Sequence, residues 1–275
     1  MPELPEVETI KRSLEALIVN RRIVDVEVLE TRLRVPVREN DFPRWIIGHR
    51  IARISRKAKY LIWELKNSAA VVIHLGMSGR LVYVNEPLPL EKHTHVIFHL
   101  DNSRQIRFRD PRRFGLIEVV APNRLKSYQR FRQLGAEPLT DAFSADHFSP
   151  LCQRSQRSIK NLLMDAGLVV GIGNIYANEI LFKAGVHPLR RGSELTEGQA
   201  RRIVHAAKKV LTRAIEKGGT TLNDFRDGRG EPGFFQIELA VYERDGQECK
   251  KCGTLIEKAV SSGRSTYYCP ACQRL

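Results

Sequence analysis

Ala121-Pro122-Asn123 is the stretch where the chain changes character. On its N-terminal side, apolar and polar residues alternate in short runs, the period-2 pattern of half-buried strands. On its C-terminal side, apolar residues recur three and four apart, and glycines close the runs, as helices require. A strand-rich half followed by a helix-rich half implies an α+β, two-domain fold.

Outward toward the N-terminus, Arg22 to Leu29 alternates and is β-branched. Arg50 to Ile54, Tyr60 to Leu65, Ala70 to His74, Leu81 to Val84 and Gly115 to Val120 are further strand-like runs. Val96 to Leu100 and Gln105 to Phe108 flank Asp101-Asn102-Ser103, a hairpin-turn composition. Short strands at near-regular spacing predict a β-sandwich or barrel over residues 1–125. One helix precedes them: Val7, Ile10, Leu14, Leu17 and Ile18 share a helical face behind prolines and acids.

Outward toward the C-terminus, short helices are expected at Asp146 to Cys152 and at Ile159 to Ala166. Another is expected from Asn174 to Ala184, closed by Gly185. Thr196-Glu197-Gly198-Gln199 is a capping box that opens a helix running to about Lys217. Residues 126–236 therefore read as a helical domain that includes a Gly-rich loop, 218–236, and residues 237–275 as a small module of their own.

Forty-five Lys and Arg face 31 acids among 275 residues, a net charge of +14 with a pI near 9.8. That excess points to a polyanionic partner. No apolar run approaches membrane-spanning length, and no lipidation motif is present. Four of the five cysteines fall in the last 27 residues, as Cys249-x2-Cys252 and Cys269-x2-Cys272 with 16 residues between the pairs. An odd, clustered set argues for a reducing compartment and a metal site rather than a disulfide framework. Two CxxC knuckles at this separation fit tetrahedral zinc thiolate ligation, and with four protein ligands such a zinc is structural. A redox CxxC would need only one pair. The intervening Lys258, Gly263 and Arg264 read as a basic β-hairpin, and the leftover Cys152 as a small buried hydrophobe.

Several turns carry exposed-looking chemistry. Arg109-Asp110-Pro111-Arg112-Arg113-Phe114-Gly115 puts arginines and an aromatic in a turn, and such a residue can wedge between bases. His74-Leu75-Gly76-Met77-Ser78-Gly79 holds Met77 between glycines, a poor core sequence. Lys57-Ala58-Lys59-Tyr60 is a basic strand start. His93 and His95 have metal-like spacing but no carboxylates nearby, which favours a phosphate or base contact. Gly171-Ile172-Gly173-Asn174 leads into a helix, where backbone N–H groups can meet a phosphate. In isolation a packing glycine explains that motif equally well. Beside the net charge and the zinc hairpin, contact with a DNA backbone is the better reading, with Lys160 adding charge on the same side.

The first nine residues, Met1-Pro2-Glu3-Leu4-Pro5-Glu6-Val7-Glu8-Thr9, serve as a helix start on the plain reading. If Met1 is trimmed, Pro2 becomes a secondary amine with a pKa of about 8, nucleophilic near neutrality and able to form an iminium. Glu3 beside it can supply a proton.

Together, the opening motif, Lys57-Ala58-Lys59-Tyr60-Leu61, the Met77 loop, Asp110 to Gly115, Gly171 to Tyr176 and the four cysteines around Gly263-Arg264 resemble the bacterial-type formamidopyrimidine-DNA glycosylases over the whole length. The resemblance implies excision of oxidised purines from double-stranded DNA, followed by β,δ-elimination at the abasic site, by a monomer in the cytoplasm near the nucleoid. It implies Pro2 as nucleophile and Glu3 as general acid. Lys59 would act in β-elimination and as a phosphate contact, and Arg264 in δ-elimination. Met77, Arg112 and Phe114, with Arg113 in the same turn, would fill the space left by the extruded nucleotide. His93 would touch DNA, Lys160 and Asn174 would bind phosphates in a helix–two-turns–helix element, and the loop 218–236 would close over the flipped base. Glu243 stands where family members usually have Gly. Two rivals remain: a sibling enzyme for oxidised pyrimidines, and a non-catalytic zinc-ribbon binder of damaged DNA.

Overall fold

The computed structural model describes residues 2–85, 88–221, 227–229 and 231–275. These form two compact units, one comprising residues 1–132 and 217–236, the other residues 133–216 and 237–275. The three consecutive segments expected from the sequence therefore regroup. The zinc-binding module belongs to the body of the helices, and the stretch after the long helix returns to the strand-rich unit.

The first unit holds α1 (Leu4–Ile18), β1 (Ile23–Val28), α2 (Asp41–Trp45), β2 (Ile51–Lys57), β3 (Tyr60–Leu65), β4 (Ala70–His74), β5 (Arg80–Val84), β6 (Thr94–Leu100), β7 (Gln105–Arg109) and β8 (Leu116–Val120). Two antiparallel four-stranded sheets run β1-β6-β7-β5 and β2-β3-β4-β8. Their inner faces share one apolar cluster, in which Trp63, Phe98 and Phe108 are fully enclosed. Val7, Ile10, Leu14 and Ile18 of α1 join the same cluster, each at most 1% exposed. Each such side chain contributes roughly 1.5–3 kcal/mol relative to leaving it in water. The helix α2, with Pro43 inside it, has no strong periodicity in five residues and escaped the sequence reading.

Register explains where the loops go. Lys57 pairs with Tyr60, Tyr60 with His74, and His74 with Leu116, which marks one end of the second sheet. Arg80 and Thr94 both pair with Arg109 at an end of the first. The β4–β5 and β7–β8 connections thus each step from one sheet to the other.

The second unit holds α3 (Ala145–Gln153), α4 (Ile159–Leu163), α5 (Asn174–Ala184), α6 (Glu197–Glu216) and the hairpin β9 (Glu257–Ser261)–β10 (Arg264–Tyr268). Thr196 and Gln199 form the expected reciprocal capping box, and Gly185 closes α5 at φ +64°. α4 stops at Leu163 rather than running to Ala166. Cys152 is fully buried, and burial pushes its thiol up to about 12, as suits an inert packing residue.

Polar side chains of the helices bind the zinc module. Asn178 Oδ1 accepts the Tyr267 N–H at 2.8 Å, and Asn161 Nδ2 donates to Ser262 Oγ at 2.8 Å. The Glu179 carboxylate, 5% exposed, accepts the N–H groups of Ala240, Val241 and Tyr242, each at 2.9 Å. Burial raises the pKa of Glu179 above the ordinary carboxylate value, and those three donors oppose the rise. Among them the chain turns through Glu243 at φ +56°, the left-handed region that glycine adopts at least cost. The turn forms with Glu at this position.

The four cysteine Sγ atoms lie within 4.8 Å of one another, with Cys252–Cys269 and Cys252–Cys272 at 3.5 Å and Cys249–Cys272 at 4.0 Å. A tetrahedron of sulfurs at about 2.3 Å from zinc has edges of about 3.8 Å, so the thiols fit one structural zinc. Gly253, at φ +78°, makes the knuckle turn, its N–H reaching the Cys249 carbonyl.

Two outcomes follow from this bracing. Chelating the zinc, or Cys249→Ser, is expected to remove hydrogen-exchange protection from the Tyr267 amide while the Val72 amide in the sandwich keeps its own, because a structural zinc supplies on the order of 10 kcal/mol of folding free energy. Equal loss at both amides would show that the two units do not fold separately. Glu179→Ala strands three amide donors and is expected to cost roughly 3 kcal/mol or more in denaturant unfolding, with Glu179→Gln milder.

Candidate active site and nucleic-acid interface

In the first unit, the chain terminus is built on α1. Glu3 is the N-cap and forms a capping box with Glu6. Its side chain accepts the Glu6 N–H, while Glu6 Oε2 accepts the Glu3 N–H at 2.8 Å. Pro2 and Glu3 are both buried, Glu3 at 1% exposure. Pro2 thus sits at the positive end of a 15-residue helix, whose dipole disfavours a protonated amine. The fate of Met1 lies outside the described residues.

Glu6 has a second task. Its Oε1 accepts the Thr220 N–H at 2.8 Å. Gly219, at φ +81°, passes so close that a Cβ there would come within 3.0 Å of that oxygen. Thr221 Oγ1 accepts from Gly233 N–H, Gly228 N–H donates to Ser13 Oγ, and Tyr83 N–H donates to the Gly228 carbonyl. The described parts of the loop expected at 218–236 are therefore fastened to α1 and β5; residues 222–226 and 230 lie outside the described residues.

Lys59 occupies the two-residue turn between β2 and β3, after Ala58 at φ +55°. Arg56 holds this hairpin to α1 through an ion pair with Glu8 at 3.1 Å, both side chains largely enclosed. Burial works to raise the Glu8 pKa, but Lys11 and Arg56 outweigh it and the net shift is downward. His74 shares the same end of the sheet. Burial, then the charges of Lys59, Arg34 and Arg130, lower its pKa to about 4. Its Nδ1 accepts the Gly76 N–H at 3.0 Å, so the neutral ring carries its proton on Nε2. A neutral imidazole donor among cations is a setting for an anionic ligand. The sequence reading quoted His74 without giving it a role, because its neighbours are set by strand register.

The β4–β5 turn presents Met77 at 43% exposure, and the β7–β8 turn presents Phe114 at 45%. Arg112 lies over the Phe114 ring, 4.8 Å from its centroid. Arg113, at φ +56°, pairs with Glu30 at 3.0 Å, so its guanidinium also tethers the turn. His93, at φ +69°, is partly buried, and its carbonyl accepts the Asp110 N–H. Its neighbour His95 is buried with Nε2 2.7 Å from the Asp110 carbonyl, an internal strut rather than a phosphate or base contact. Asp110 itself, fully buried, had no assigned role in the sequence; only its place inside an Arg-rich turn marked it.

In the second unit, Asn174 is the first residue of α5, and its Nδ2 donates to the Ser265 carbonyl at 3.1 Å. An amide nitrogen carries a second N–H besides the one used here. Arg264, beside Ser265, is exposed at the hairpin turn formed by Ser262 and Gly263, both at positive φ. Lys160 is fully buried, donating from Nζ to the Ser265 carbonyl at 2.7 Å and to Thr266 Oγ1 at 2.8 Å. These bonds use two of the three ammonium donors and brace the zinc hairpin. The structure thus gathers Pro2, Glu3, Lys59, Met77, His93 and Arg112–Phe114 in one unit, and Lys160, Asn174, Arg264 and the four cysteines in the other.

Comparison with known proteins bears on this arrangement. Residues 1–117 match the formamidopyrimidine-DNA glycosylase N-terminal domain, 134–226 the H2TH domain of the same enzymes, and 246–275 the zinc finger found in them and in isoleucyl-tRNA synthetase. The formamidopyrimidine-DNA glycosylase of Thioalkalivibrio sulfidiphilus is 44% identical over the full length of both chains. That of Desulforamulus reducens is 42% identical over all of this chain and 99% of its own. Among solved structures, a Lactococcus lactis enzyme mutant bound to Fapy-dG-containing DNA superposes with a TM-score of 0.93 at 32% identity, covering 100% of both chains. The Thermus thermophilus protein gives 0.87 at 39% identity, covering 99% of this chain and 98% of that one. With three matched domains in order and full-length relatives above 40% identity, the chain belongs to the formamidopyrimidine-DNA glycosylase family.

Proposed function

We propose that the chain is a bifunctional DNA glycosylase and abasic-site lyase that removes oxidised purines, among them 8-oxoguanine and formamidopyrimidines, from double-stranded DNA in base excision repair. The observation that carries this reading is the terminus itself: Pro2 followed by a buried carboxylate fixed as a helix cap. Once freed of Met1, the Pro2 nitrogen attacks C1′ of the damaged nucleotide, and the base leaves with the bonding pair. Glu3, taking up the proton that the Pro2 nitrogen sheds on attack, gives it to the ring oxygen, the sugar opens, and the link to Pro2 becomes an iminium. That cation acidifies the C2′–H bond. Loss of the C2′ proton expels the 3′-phosphate, and a further elimination expels the 5′-phosphate.

Lys59, in a turn held to the base of α1, suits a phosphate contact and proton transfer in the first elimination. Arg264, exposed at the hairpin turn, suits the second. His74 offers Nε2–H to a phosphate without carrying charge, and Asn174 offers its second amide hydrogen. Met77, Arg112 and Phe114 occupy the space vacated by the flipped nucleotide, with Arg113 in the second of these turns and His93, from the β5–β6 connection, hydrogen-bonded beside it. Among the described residues no helix is long and apolar enough to cross a membrane. We place the protein with the nucleoid, where a reducing environment preserves the zinc thiolates.

With Met1 removed, borohydride is expected to trap a covalent adduct on a duplex containing 8-oxoguanine, read as a shifted band on a denaturing gel. Protein that retains Met1 or carries an N-terminal tag should give none. An adduct of equal yield from the blocked protein would exclude Pro2 as nucleophile. A parallel duplex with thymine glycol distinguishes the oxidised-pyrimidine reading by its relative rate.

Glu3→Gln keeps a cap acceptor but loses the acidic proton. Excision of 8-oxoguanine should fall by about 100-fold or more, while cleavage at a preformed abasic site, already free of its base, falls much less. Equal losses on both substrates would assign Glu3 to the later steps.

A further inference from the structure

Asp110 makes six hydrogen bonds from a fully buried position, four of them within the two turns that present Met77, Arg112 and Phe114 and two to His93 and His95. Its Oδ1 accepts from Ser78 Oγ at 2.6 Å and from the Arg112 N–H at 3.3 Å, and its Oδ2 accepts from the Gly115 N–H at 2.7 Å. Its N–H donates to the His93 carbonyl at 3.0 Å, and its own carbonyl accepts from His95 Nε2 at 2.7 Å and from the Arg113 N–H at 3.1 Å. The carboxylate therefore closes its own turn and reaches across to Ser78 in the other.

The two turns also meet backbone to backbone. A Cβ on Gly76 would lie 2.4 Å from the Phe114 carbonyl carbon, and one on Gly115 would lie 2.5 Å from Phe108 Cζ and 3.0 Å from Asp110 Oδ2. Gly79 N–H closes the first turn onto the Leu75 carbonyl at 2.8 Å. The glycines let the loops approach, and the carboxylate holds the approach in place.

We propose that Asp110 is a positioning residue that locks the 75–79 and 110–115 turns into one preformed wedge. The proposal rests on the glycosylase reading above. Exposed apolar side chains on separate loops would each have to be ordered as they entered the duplex. On a shared rigid seat, Met77 and Phe114 enter together, and the free energy of insertion goes into holding the flipped state. Asp110 touches neither the sugar nor the base, so its effect should appear only where a duplex must be opened.

The test compares two substrates under single turnover: a duplex with 8-oxoguanine, and a single strand with an abasic site, which has no partner strand and no void to fill. D110A is expected to slow duplex excision tenfold or more while single-strand cleavage stays within twofold. S78A, which removes one donor and leaves the carboxylate, should shift the same ratio by a smaller factor. The double variant D110A/F114A supplies the readout that a merely structural role would not move. If Asp110 acts through the wedge, removing Phe114 from D110A costs less than twofold further, although F114A alone is strongly impaired. Equal losses on both substrates, or multiplicative effects in the double variant, would overturn the proposal. Should D110A fail to fold, D110N and S78A decide by the same ratio, D110N leaving one of the carboxylate's donors without an acceptor. Wild-type protein inactive on both substrates would sink the glycosylase reading itself, an outcome distinct from failure of the lock.

Discussion

A carboxylate taken out of water is costly unless donors replace the water, and backbone N–H groups are the donors that a turn or a chain end has to spare. Glu6, Asp110 and Glu179 accept on those terms. Glu6 takes the N–H groups of Glu3 and Thr220. Asp110 takes those of Arg112 and Gly115 together with the Ser78 hydroxyl. Glu179 takes three in succession from residues 240–242. Each joins segments that have no regular secondary structure between them. Replacing one by an apolar residue would strand its donors, so the positions of the chain's first residues, the exposed tips and the approach to the zinc module all depend on these groups staying in place.

Much of this architecture was legible in the residues. Strands β3 and β4 and helix α5 fall at the boundaries that alternation and glycine punctuation predict, and the cysteine spacing specified the metal. Local signals sufficed there because period, cap and turn chemistry are properties of neighbouring residues. What escaped was tertiary. Glu6 reads as one more acid in a first turn, and its reach to Thr220, 214 positions away, has no local signature. Asp110 looks like turn solvation until register shows that the β4–β5 and β7–β8 turns meet. His74 acquires its electrostatic setting only when Lys59, Arg34 and Arg130 surround it.

Lys160 shows how position adds to charge: it is buried, and its ammonium binds the hairpin. In a sequence with 45 Lys and Arg, proximity to a phosphate-binding motif is weak grounds for assigning a phosphate contact. The hairpin carbonyl of Ser265 needed donors, and both Lys160 and Asn174 supply them. The same bond explains why the zinc module is not a separate domain. Its strands leave buried polar groups facing the helices, and the helices answer with Lys160, Asn161, Asn178 and Glu179. A 39-residue segment, 237–275, has too little surface to bury a core of its own, so dependence on both zinc and a helical neighbour is what its size demands.

Charge and shape divide the remaining work. A net charge of +14 attracts any DNA and discriminates poorly among sequences. Discrimination has to come from a step whose cost differs between sound and damaged pairs, and extrusion of a base is such a step, since a damaged pair unstacks more cheaply. A flexible probe would weaken insertion at sound and damaged pairs alike, because its own ordering cost is added at every site tested. Met77 and Phe114 stand outward with more than 40% of their surface in water, on turns too tight to collapse over them. Exposed apolar tips on a rigid seat keep the ordering term small. In the wedge proposed above, more of the free energy of insertion is then left to hold the opened duplex.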